Sequence, residues 1–258
     1  MKILITGTTD GIGLATARML AEEGHTLLLH GRNEEKLKMV EEELGKENAE
    51  TYVADLSVLK EVKAFADRVT DHHDRLDVLI NNAGIYKTPV KTTGDGLDIR
   101  FAVNTVAPYL LTRRLLPLMD GSGRIINLSS AAQQPVDLDK MMKQKGIGDD
   151  AAYGQSKLAL TMWTIGMAKK SEPVIVAVNP MSLLGSKMVK EAFGTDGHDI
   201  SIGARVLYQA AVSDSFREAS GKYYDNDKGN FGNPHPDAEN DEKVQSLLHT
   251  LDSITAQV

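Results

Sequence analysis

The chain has 258 residues, 41% of them apolar, and its 29 Lys and Arg against 36 Asp and Glu give a formal charge of −7. This composition suits one globular domain, while the absence of cysteine excludes disulfide scaffolds, thiolate metal sites and cysteine nucleophiles. The acidic balance disfavours nonspecific nucleic-acid binding, and no apolar run approaches the roughly 18 residues of a membrane span. The N-terminal apolar run is too short for a signal-peptide core, so we expect a cytoplasmic protein without nucleic-acid or membrane partners.

Short apolar runs alternate with helical patterns along most of the chain. The runs predict strands buried on both faces, at 3–5, 26–29, 51–54, 76–80, 124–128 and 174–178. The predicted helices lie at 13–23, 33–44, 57–72, 97–119 and 151–170. Asn33 and Ser57 stand at N-cap positions, and Gly24 and Gly45 at helix ends. The alternation predicts a single α/β domain over residues 1–258, with a parallel sheet covered by helices on both faces.

The end of the chain differs from this pattern. From Tyr224 onward, Asn, Asp, Gly and Pro are dense, which predicts a loop or a loosely held tail. We therefore expect a core of residues 1–225 and a tail of residues 226–258, in which only 244–258 is typical of an amphipathic helix.

A glycine-rich segment joins the first predicted strand to the first predicted helix. Its sequence is Thr6-Gly7-Thr8-Thr9-Asp10-Gly11-Ile12-Gly13, with the spacing G-x3-G-x-G. Gly7 allows a tight turn, Gly11 lets backbone approach a phosphate, and Gly13 lets the helix pack closely against the sheet. Free N–H groups and the helix dipole favour an anion there, which indicates a dinucleotide site more than an ordinary glycine turn.

The ends of the second and third predicted strands bear on the choice of cofactor. An acidic residue after the second strand would bind the adenosine ribose of NAD, but Gly31 takes that place and Arg32 follows it. Arg32 either pairs with the 2′-phosphate of NADP or is a solvated residue at a helix start. Asp10 would repel that phosphate if it pointed at it. Asp55-Leu56 either forms hydrogen bonds with the edge of the adenine base or is a plain helix cap.

Tyr153 and Lys157 are four residues apart in a predicted helix and therefore share a face. A nearby cation lowers the pKa of a tyrosine, so the pair can exchange a proton with a carbonyl or an alcohol. Such pairs also arise by chance. Ser129 and Ser130 end the fifth predicted strand, at the sheet edge where α/β proteins bind ligands, although either is also an ordinary strand-end residue.

Five motifs together resemble the short-chain dehydrogenase/reductase family, in its order and over about residues 1–225. They are Thr6-Gly7-x3-Gly11-Ile12-Gly13, Asn81-Asn82-Ala83-Gly84, Asn104, Ser129-Ser130 and Tyr153-x3-Lys157. The resemblance implies one Rossmann-type domain with a doubly wound, seven-stranded parallel sheet. It also implies NADP or NAD as cofactor, a small carbonyl or alcohol substrate, and a homodimer or homotetramer paired through the helices that carry Asn104 and Tyr153.

The resemblance assigns roles residue by residue. Tyr153 resembles the catalytic acid/base, Lys157 the cation that lowers its pKa and binds the nicotinamide ribose, and Ser130 the donor to the substrate carbonyl. Asn104 would hold a water between Lys157 and solvent. With no acid before it, Arg32 resembles the NADP-preferring members. The expected cofactor-binding residues are Gly7, Thr9, Asp10, Gly11, Ile12, Gly13, Arg32, Asp55, Leu56, Asn82, Ala83, Gly84, Tyr153, Lys157, Pro180 and Ser186.

Two departures from the family's usual pattern concern the substrate side. Ser130 and Tyr153 are 23 residues apart, a long interval that resembles the retinol-dehydrogenase-like, carbonyl-reducing members. Met181 follows Asn179-Pro180, where the family usually has Gly beside the nicotinamide. We expect a lid over 181–198 that moves at its glycines, Gly185, Gly194 and Gly197. The candidate substrate-binding residues are Met141, Met142, Met181 and Met188.

Two functions from different classes fit the sequence. The first is an NAD(P)-dependent oxidoreductase that transfers a hydride between nicotinamide and a carbonyl or alcohol carbon, with Tyr153 as acid/base and NADP preferred. The alternative is an NADP-binding regulatory or scaffold protein with little turnover, which Met181 favours and the presence of both Tyr153 and Lys157 disfavours. The histidines are scattered or, at His72-His73, adjacent, so we expect no metal site.

Overall fold

Eight strands form one sheet in the computed structural model, which describes residues 1–142 and 147–258. The strands are β1 (Lys2–Thr6), β2 (Thr26–Gly31), β3 (Ala49–Val53), β4 (Val78–Asn81), β5 (Arg124–Leu128), β6 (Val174–Asn179), β7 (Tyr223–Asp225) and β8 (Asn230–Gly232). Their order is β3-β2-β1-β4-β5-β6-β7-β8, and every pair is parallel except the last. The predicted fold class is confirmed, with an eighth, antiparallel edge strand added to the seven parallel strands.

Helices connect the strands and cover both faces of the sheet. They are α1 (Gly11–Glu22), α2 (Glu34–Leu44), α3 (Leu59–His72), α4 (Ile99–Phe101), α5 (Ala107–Leu115), α6 (Leu138–Met142), α7 (Asp149–Ala168), α8 (Lys187–Phe193), α9 (Ile200–Val212), α10 (Pro236–Glu239) and α11 (Asp241–Thr255). A π-helical turn (Ala102–Val106) joins α4 to α5, and 3₁₀ turns lie at Leu116–Leu118 and Asp214–Phe216.

Alternation along the strands creates two cores. In β1, Ile3 and Ile5 belong to the core that includes α1, α2 and α9, whereas Leu4 belongs to the core that includes α3, α5, α7 and α11. All three side chains are fully buried, as period-two alternation requires in a sheet covered on both sides. The sheet order reverses between β1 and β4, so the carboxyl ends of these two strands border the crevice where such sheets bind ligands.

Several local expectations need correction. Asn33 caps α2 as predicted, its side chain accepting a hydrogen bond from the Lys36 N–H, but α3 begins after Val58 and not at Ser57. The helix predicted over 97–119 is interrupted, because its backbone widens into the π-helical turn. The helices α8 and α9 were not predicted, since α8 is short and α9 buries small residues that give a weak apolar pattern.

The prediction of a loosely held tail is wrong. β7 extends the sheet beyond β6, β8 pairs with β7, and α11 buries four apolar side chains, those of Val244, Leu247, Leu251 and Ile254. Periodicity identified that helix, whereas the three-residue strands are too short to read from sequence. β7 pairs with β6, which is distant along the chain, and β8 then pairs with β7.

The last helix also covers the surface through which we expected two chains to pair. At Gly166 of α7, an added Cβ atom would lie 2.7 Å from Val244 and 2.9 Å from Leu248, both in α11. On the α5 side, the Tyr109 hydroxyl donates to Asp252 of α11 at 2.7 Å. Pairing through α5 and α7 would therefore require α11 to move away. Within the described part of the chain, no helix is both long and apolar enough to cross a membrane.

Candidate active site

The glycine-rich turn between β1 and α1 forms a narrow cradle. Gly7 and Gly11 have positive φ angles of 74° and 62°, which side chains other than glycine rarely adopt. At Gly13, a Cβ atom would lie 2.1 Å from the Gly7 carbonyl oxygen, so only glycine fits. Asp10 caps α1, since its carboxylate accepts a hydrogen bond from the Gly11 N–H at 2.7 Å. The cradle thus places backbone N–H groups and a helix start beside open space.

Asn82 ties the end of β4 to this turn. Its side-chain amide donates to the carbonyl oxygens of Thr6, at 2.8 Å, and Gly7, at 3.1 Å. The Thr6 hydroxyl in turn accepts hydrogen bonds from the backbone N–H groups of Asn82 and Ala83, both at 3.0 Å. These bonds fix the two strand ends at which the sheet order reverses, and they explain why an Asn is needed at this position.

His30, the second-last residue of β2, lies beside the turn and was missed as a site residue. It is 2% exposed, and its Nδ1 accepts a hydrogen bond from the Gly7 N–H at 3.3 Å while Nε2 donates to the Ala54 carbonyl at 3.1 Å. The ring stacks on Phe65 with centroids 5.0 Å apart, and burial lowers the pKa of His30 to about 4. A polar residue at the carboxyl end of an otherwise apolar strand was the available signal.

The part of the crevice where we expect adenosine has the composition that the sequence predicts. Gly31 leaves room for Thr9, whose methyl carbon would lie 2.7 Å from an added Cβ atom. Arg32 is exposed and lines the crevice beside Thr9. Asp55 and Leu56 line it too, although one carboxylate oxygen of Asp55 is used locally, accepting from the Ser57 N–H at 2.9 Å. Asp55 therefore combines the two roles that the sequence left open, a local turn and a lining residue.

The structure distinguishes the two serines at the end of β5. Ser129 is 3% exposed, and its hydroxyl lies 2.7 Å from the Thr161 hydroxyl inside the fold. Ser130 is partly exposed in the crevice, where its hydroxyl lies close enough to the Tyr153 phenol to oppose the rise in the pKa of that phenol. Only the second serine is therefore placed to act on a substrate beside Tyr153.

Tyr153 and Lys157 lie on one face of α7, as their spacing predicts. Lys157 is 4% exposed, its ammonium donates to the Leu128 carbonyl at 2.6 Å, and it lies 5.8 Å from the centroid of the Tyr153 ring. Burial lowers the pKa of Lys157 to about 8. Burial also raises the pKa of the Tyr153 phenol, while the hydrogen bond from Ser130 acts in the opposite direction. The phenol is thus a proton donor at neutral pH, with a cation held close to it.

Asn104 occupies the middle of the π-helical turn and is 1% exposed. Its side chain accepts from the Ile85 N–H at 2.8 Å and donates to the Ile85 carbonyl at 2.9 Å and the Ser156 hydroxyl at 3.0 Å. An added Cβ atom on Gly84 would lie 3.3 Å from the Asn104 oxygen and 3.4 Å from the Lys157 nitrogen. Asn104 therefore reaches the Lys157 region, and its role in holding a water stays a prediction.

A second layer around Tyr153 was not predicted. The Tyr86 ring packs edge-on against the Tyr153 ring with centroids 4.7 Å apart, and the Tyr86 hydroxyl donates to Asp150 at 2.5 Å. Arg100, only 1% exposed, contacts Asp98 at 2.6 Å and Asp149 at 2.5 Å. These contacts fix the first turn of α7. Asp150, three residues before Tyr153 on the same helix, was the signal in the sequence.

The predicted lid contains α8, and its glycines differ in function. Gly185 and Gly197 pack directly together, and an added Cβ atom on Gly197 would lie 2.4 Å from the Leu183 carbonyl oxygen. This contact closes the base of the loop, whereas Gly194, with a φ angle of 66°, has open space around it. The Ser186 hydroxyl caps α8 by accepting from the Val189 N–H at 3.3 Å, and Ser186 also lines the crevice.

The four candidate methionines have different positions. Met181 and Met188 line the crevice, as expected for substrate contacts. Met141 is instead fully buried in the core that includes α7, which corrects its assignment to the substrate pocket. The side chain of Met142 lies outside the described part of the structure.

These residues surround one cleft of about 830 Å³. Along the carboxyl edge of the sheet, Arg32 and Asp55 follow the outer strands β2 and β3, Gly11 follows β1, and Tyr153 lies on α7, a helix that follows β5. The cradle that a Cβ atom at Gly13 would fill, the helix start beside it and the elongated cleft fit a dinucleotide. The predicted residues Ile12, Ala83 and Gly84 also line the cleft.

Comparison with known proteins points to the family that the sequence motifs resemble. A protein-family model described as short chain dehydrogenase matches residues 1–194. Human retinol dehydrogenase 13 is 31% identical over 271 aligned residues, covering 95% of this chain and 81% of the relative. An uncharacterised Mycobacterium paratuberculosis protein of known structure superposes with a TM-score of 0.82 at 27% identity, over 99% of this chain and 93% of that one. A Shigella flexneri short chain dehydrogenase complexed with NADP has a TM-score of 0.70 at 26% identity, over 88% and 96%.

Proposed function

This chain belongs to the short-chain dehydrogenase/reductase family, and from that premise we propose that it interconverts a carbonyl compound and the alcohol, with NADP preferred over NAD. It is an NAD(P)-dependent oxidoreductase. The proposal rests on one observation above all, that Ser130, Tyr153 and Lys157 line the same cleft as the glycine cradle and Arg32. The presence of both Tyr153 and Lys157 in the cleft disfavours the regulatory alternative.

In the proposed reaction the protein positions the substrate and moves a proton. When bound, the nicotinamide supplies or accepts the hydride. In the reducing direction, Ser130 donates a hydrogen bond to the substrate oxygen, and Tyr153 delivers its phenolic proton to that oxygen as the carbonyl carbon is reduced. The nearby Lys157 ammonium stabilises the phenolate that remains. Oxidation of an alcohol would use the same groups in reverse.

The cofactor preference follows from the end of the cleft at Arg32. The guanidinium is exposed beside Thr9, and Gly31 places no carboxylate there to bind an unphosphorylated ribose. A guanidinium pairs with a phosphate through two parallel hydrogen bonds, so Arg32 would favour the 2′-phosphate of NADP. Asp10 is engaged in capping α1, which reduces the repulsion that its charge would otherwise cause.

An apolar carbonyl compound is the substrate class that the other end of the cleft suits. Met181 and Met188 line the same cleft as the Tyr153 phenol. Apolar and flexible thioether side chains accept hydrocarbon groups of varied shape. The cytoplasmic location and the homo-oligomeric state expected from the sequence stay predictions, and an oligomer would need a surface other than the face of α7 that α11 covers.

Consumption of NADPH with a panel of apolar and polar carbonyl compounds tests the proposal. Tyr153→Phe should reduce turnover by about 10²–10⁴ and leave cofactor affinity nearly unchanged, because the ring keeps its contact with Tyr86 and only the proton is lost. The adjacent serines give a matched comparison. Ser130→Ala should lower turnover strongly, whereas Ser129→Ala should change it little. Equal losses in the two serine variants, or a Tyr153→Phe enzyme with more than about a tenth of normal turnover, would contradict the proposed roles.

A further inference from the structure

The segment that follows β6 holds an unfavourable backbone conformation beside the reaction site. Met181 has a φ angle of 117°, and Leu183, two residues later, has 51°. Residues other than glycine rarely adopt such φ angles. Met181 also lines the same cleft as Tyr153. A strained residue keeps its conformation only where the surroundings determine it, so the contacts of this segment require an explanation.

The turn between β7 and β8 supplies those contacts through Asp227. One oxygen of its carboxylate accepts from the Ser182 N–H at 2.9 Å. The other accepts from the Ser182 hydroxyl at 2.7 Å and from the Asn179 amide at 2.8 Å. Asp227 therefore holds the residues on both sides of Pro180 and Met181.

Neighbouring residues of the same turn complete the attachment. The Asn226 side chain donates to the Pro180 carbonyl at 2.9 Å, and the Asn226 N–H donates to the Asn179 carbonyl at 3.1 Å. Asp225, only 6% exposed, accepts from the Asn179 amide at 2.9 Å. The Tyr223 hydroxyl donates to the carbonyl of Ser130 at 3.1 Å, so one short hairpin contacts both sides of the reaction site.

We propose that Asp227 is a positioning residue, which holds residues 179–182 so that Met181 keeps its strained backbone and forms the wall of the reaction site. The proposal rests on the function proposed above, but it concerns a residue outside the reacting groups. Burial pushes the pKa of Asp227 upward, but the hydrogen bonds from Ser182 and Asn179 outweigh it and hold the pKa below the usual value. The carboxylate is therefore charged at neutral pH and able to accept all three hydrogen bonds.

Asp227→Asn is the direct test, because asparagine keeps the shape but loses one acceptor oxygen and the charge. We expect kcat to fall at least about fivefold, the fold-change that corresponds to the net contribution of one ordinary hydrogen bond, with a cofactor KM within about twofold. Asp214→Asn is the matched control, since Asp214 is an exposed carboxylate paired with Arg217, and it should leave kcat unchanged.

The Met181→Gly background separates positioning from simple stabilisation of the fold. Glycine adopts a positive φ without strain. The brace, by which we mean the hydrogen bonds from Ser182 and Asn179 to Asp227, should therefore matter less in that background. We expect Asp227→Asn to lower kcat less than about twofold in that background, against at least about fivefold in the wild type. If Asp227→Asn lowered kcat by the same factor in both backgrounds, or lowered it in neither, the proposal would be overturned.

Amide hydrogen exchange gives a result that does not depend on turnover. In Asp227→Asn, exchange at Ser182 and Gly185, whose N–H groups donate to Asp227 and to the His198 carbonyl, should accelerate at least about tenfold, and by less when Met181 is glycine. Unchanged exchange would refute the brace even in an active enzyme. Faster exchange in a protein that reduces no carbonyl compound would support the brace and refute the proposed function.

Discussion

Acid should destabilise this protein through His30, the buried histidine that supports the dinucleotide turn. Its ring accepts a hydrogen bond from Gly7 through Nδ1 and donates one to the Ala54 carbonyl through Nε2. A protonated ring has two donors and no acceptor, so the bond from Gly7 would be lost. The native state therefore requires the neutral form of His30.

The size of the effect follows from the pKa. The pKa of His30 falls from its usual 6.5 to about 4 in the folded protein. Between these values the unfolded chain binds the proton and the folded chain does not, so the free energy of unfolding decreases as the pH falls through this window. Each pKa unit corresponds to about 1.36 kcal/mol, so His30 alone should cost about 3 kcal/mol by pH 4.

Urea unfolding at pH 7, 5.5 and 4 measures the effect, with wild type compared with His30→Asn. Asparagine cannot take up this proton, and its oxygen can still accept from Gly7. The variant is expected to be less stable at pH 7, because the contact with Phe65 is lost, but its stability should decrease by about 3 kcal/mol less between pH 7 and pH 4. Parallel pH dependences for the two proteins would refute a neutral, buried His30.

Three further substitutions test the cleft. Lys157→Met should impair both cofactor binding and turnover, because the ammonium adjoins both the Tyr153 phenol and the predicted ribose site. If binding titrations and initial rates showed that only binding or only turnover was impaired, the double role would be contradicted. Arg32→Ala should weaken NADPH binding by about 1.5–3 kcal/mol with little change for NADH, and equal losses in titrations of both cofactors would disprove the preference. Met181→Gly should raise the free energy of unfolding by about 1 kcal/mol, because the backbone strain that it releases exceeds the entropy that glycine adds to the unfolded chain. The same substitution should change kcat or nicotinamide affinity at least about threefold. Unchanged kinetic constants and stability would show that the residue has no effect.

Local patterns in the sequence identified the reacting groups. Strand–helix alternation, the glycine spacing and the interval between Tyr153 and Lys157 are short-range features, so they are legible without the fold. The same features indicated the family and the adenosine end at Arg32. The resemblance to the family selected Ser130 over Ser129, but only the folded chain gives the physical reason, because the Ser129 hydroxyl lies against Thr161 inside the fold.

The tertiary structure decided what depends on contacts between distant parts of the chain. His30 became a support for the glycine turn only because β1 and β2 pair side by side, and Met141 became a core residue because its helix packs inward. The chain end looked unstructured because polar, glycine-rich segments carry little periodicity, yet β6 offers it an edge to pair with and α7 a face to cover. Asp227 lies more than 40 positions from Ser182, so their hydrogen bonds, and the strained Met181 between them and the cleft, follow from the folded chain and not from any local pattern.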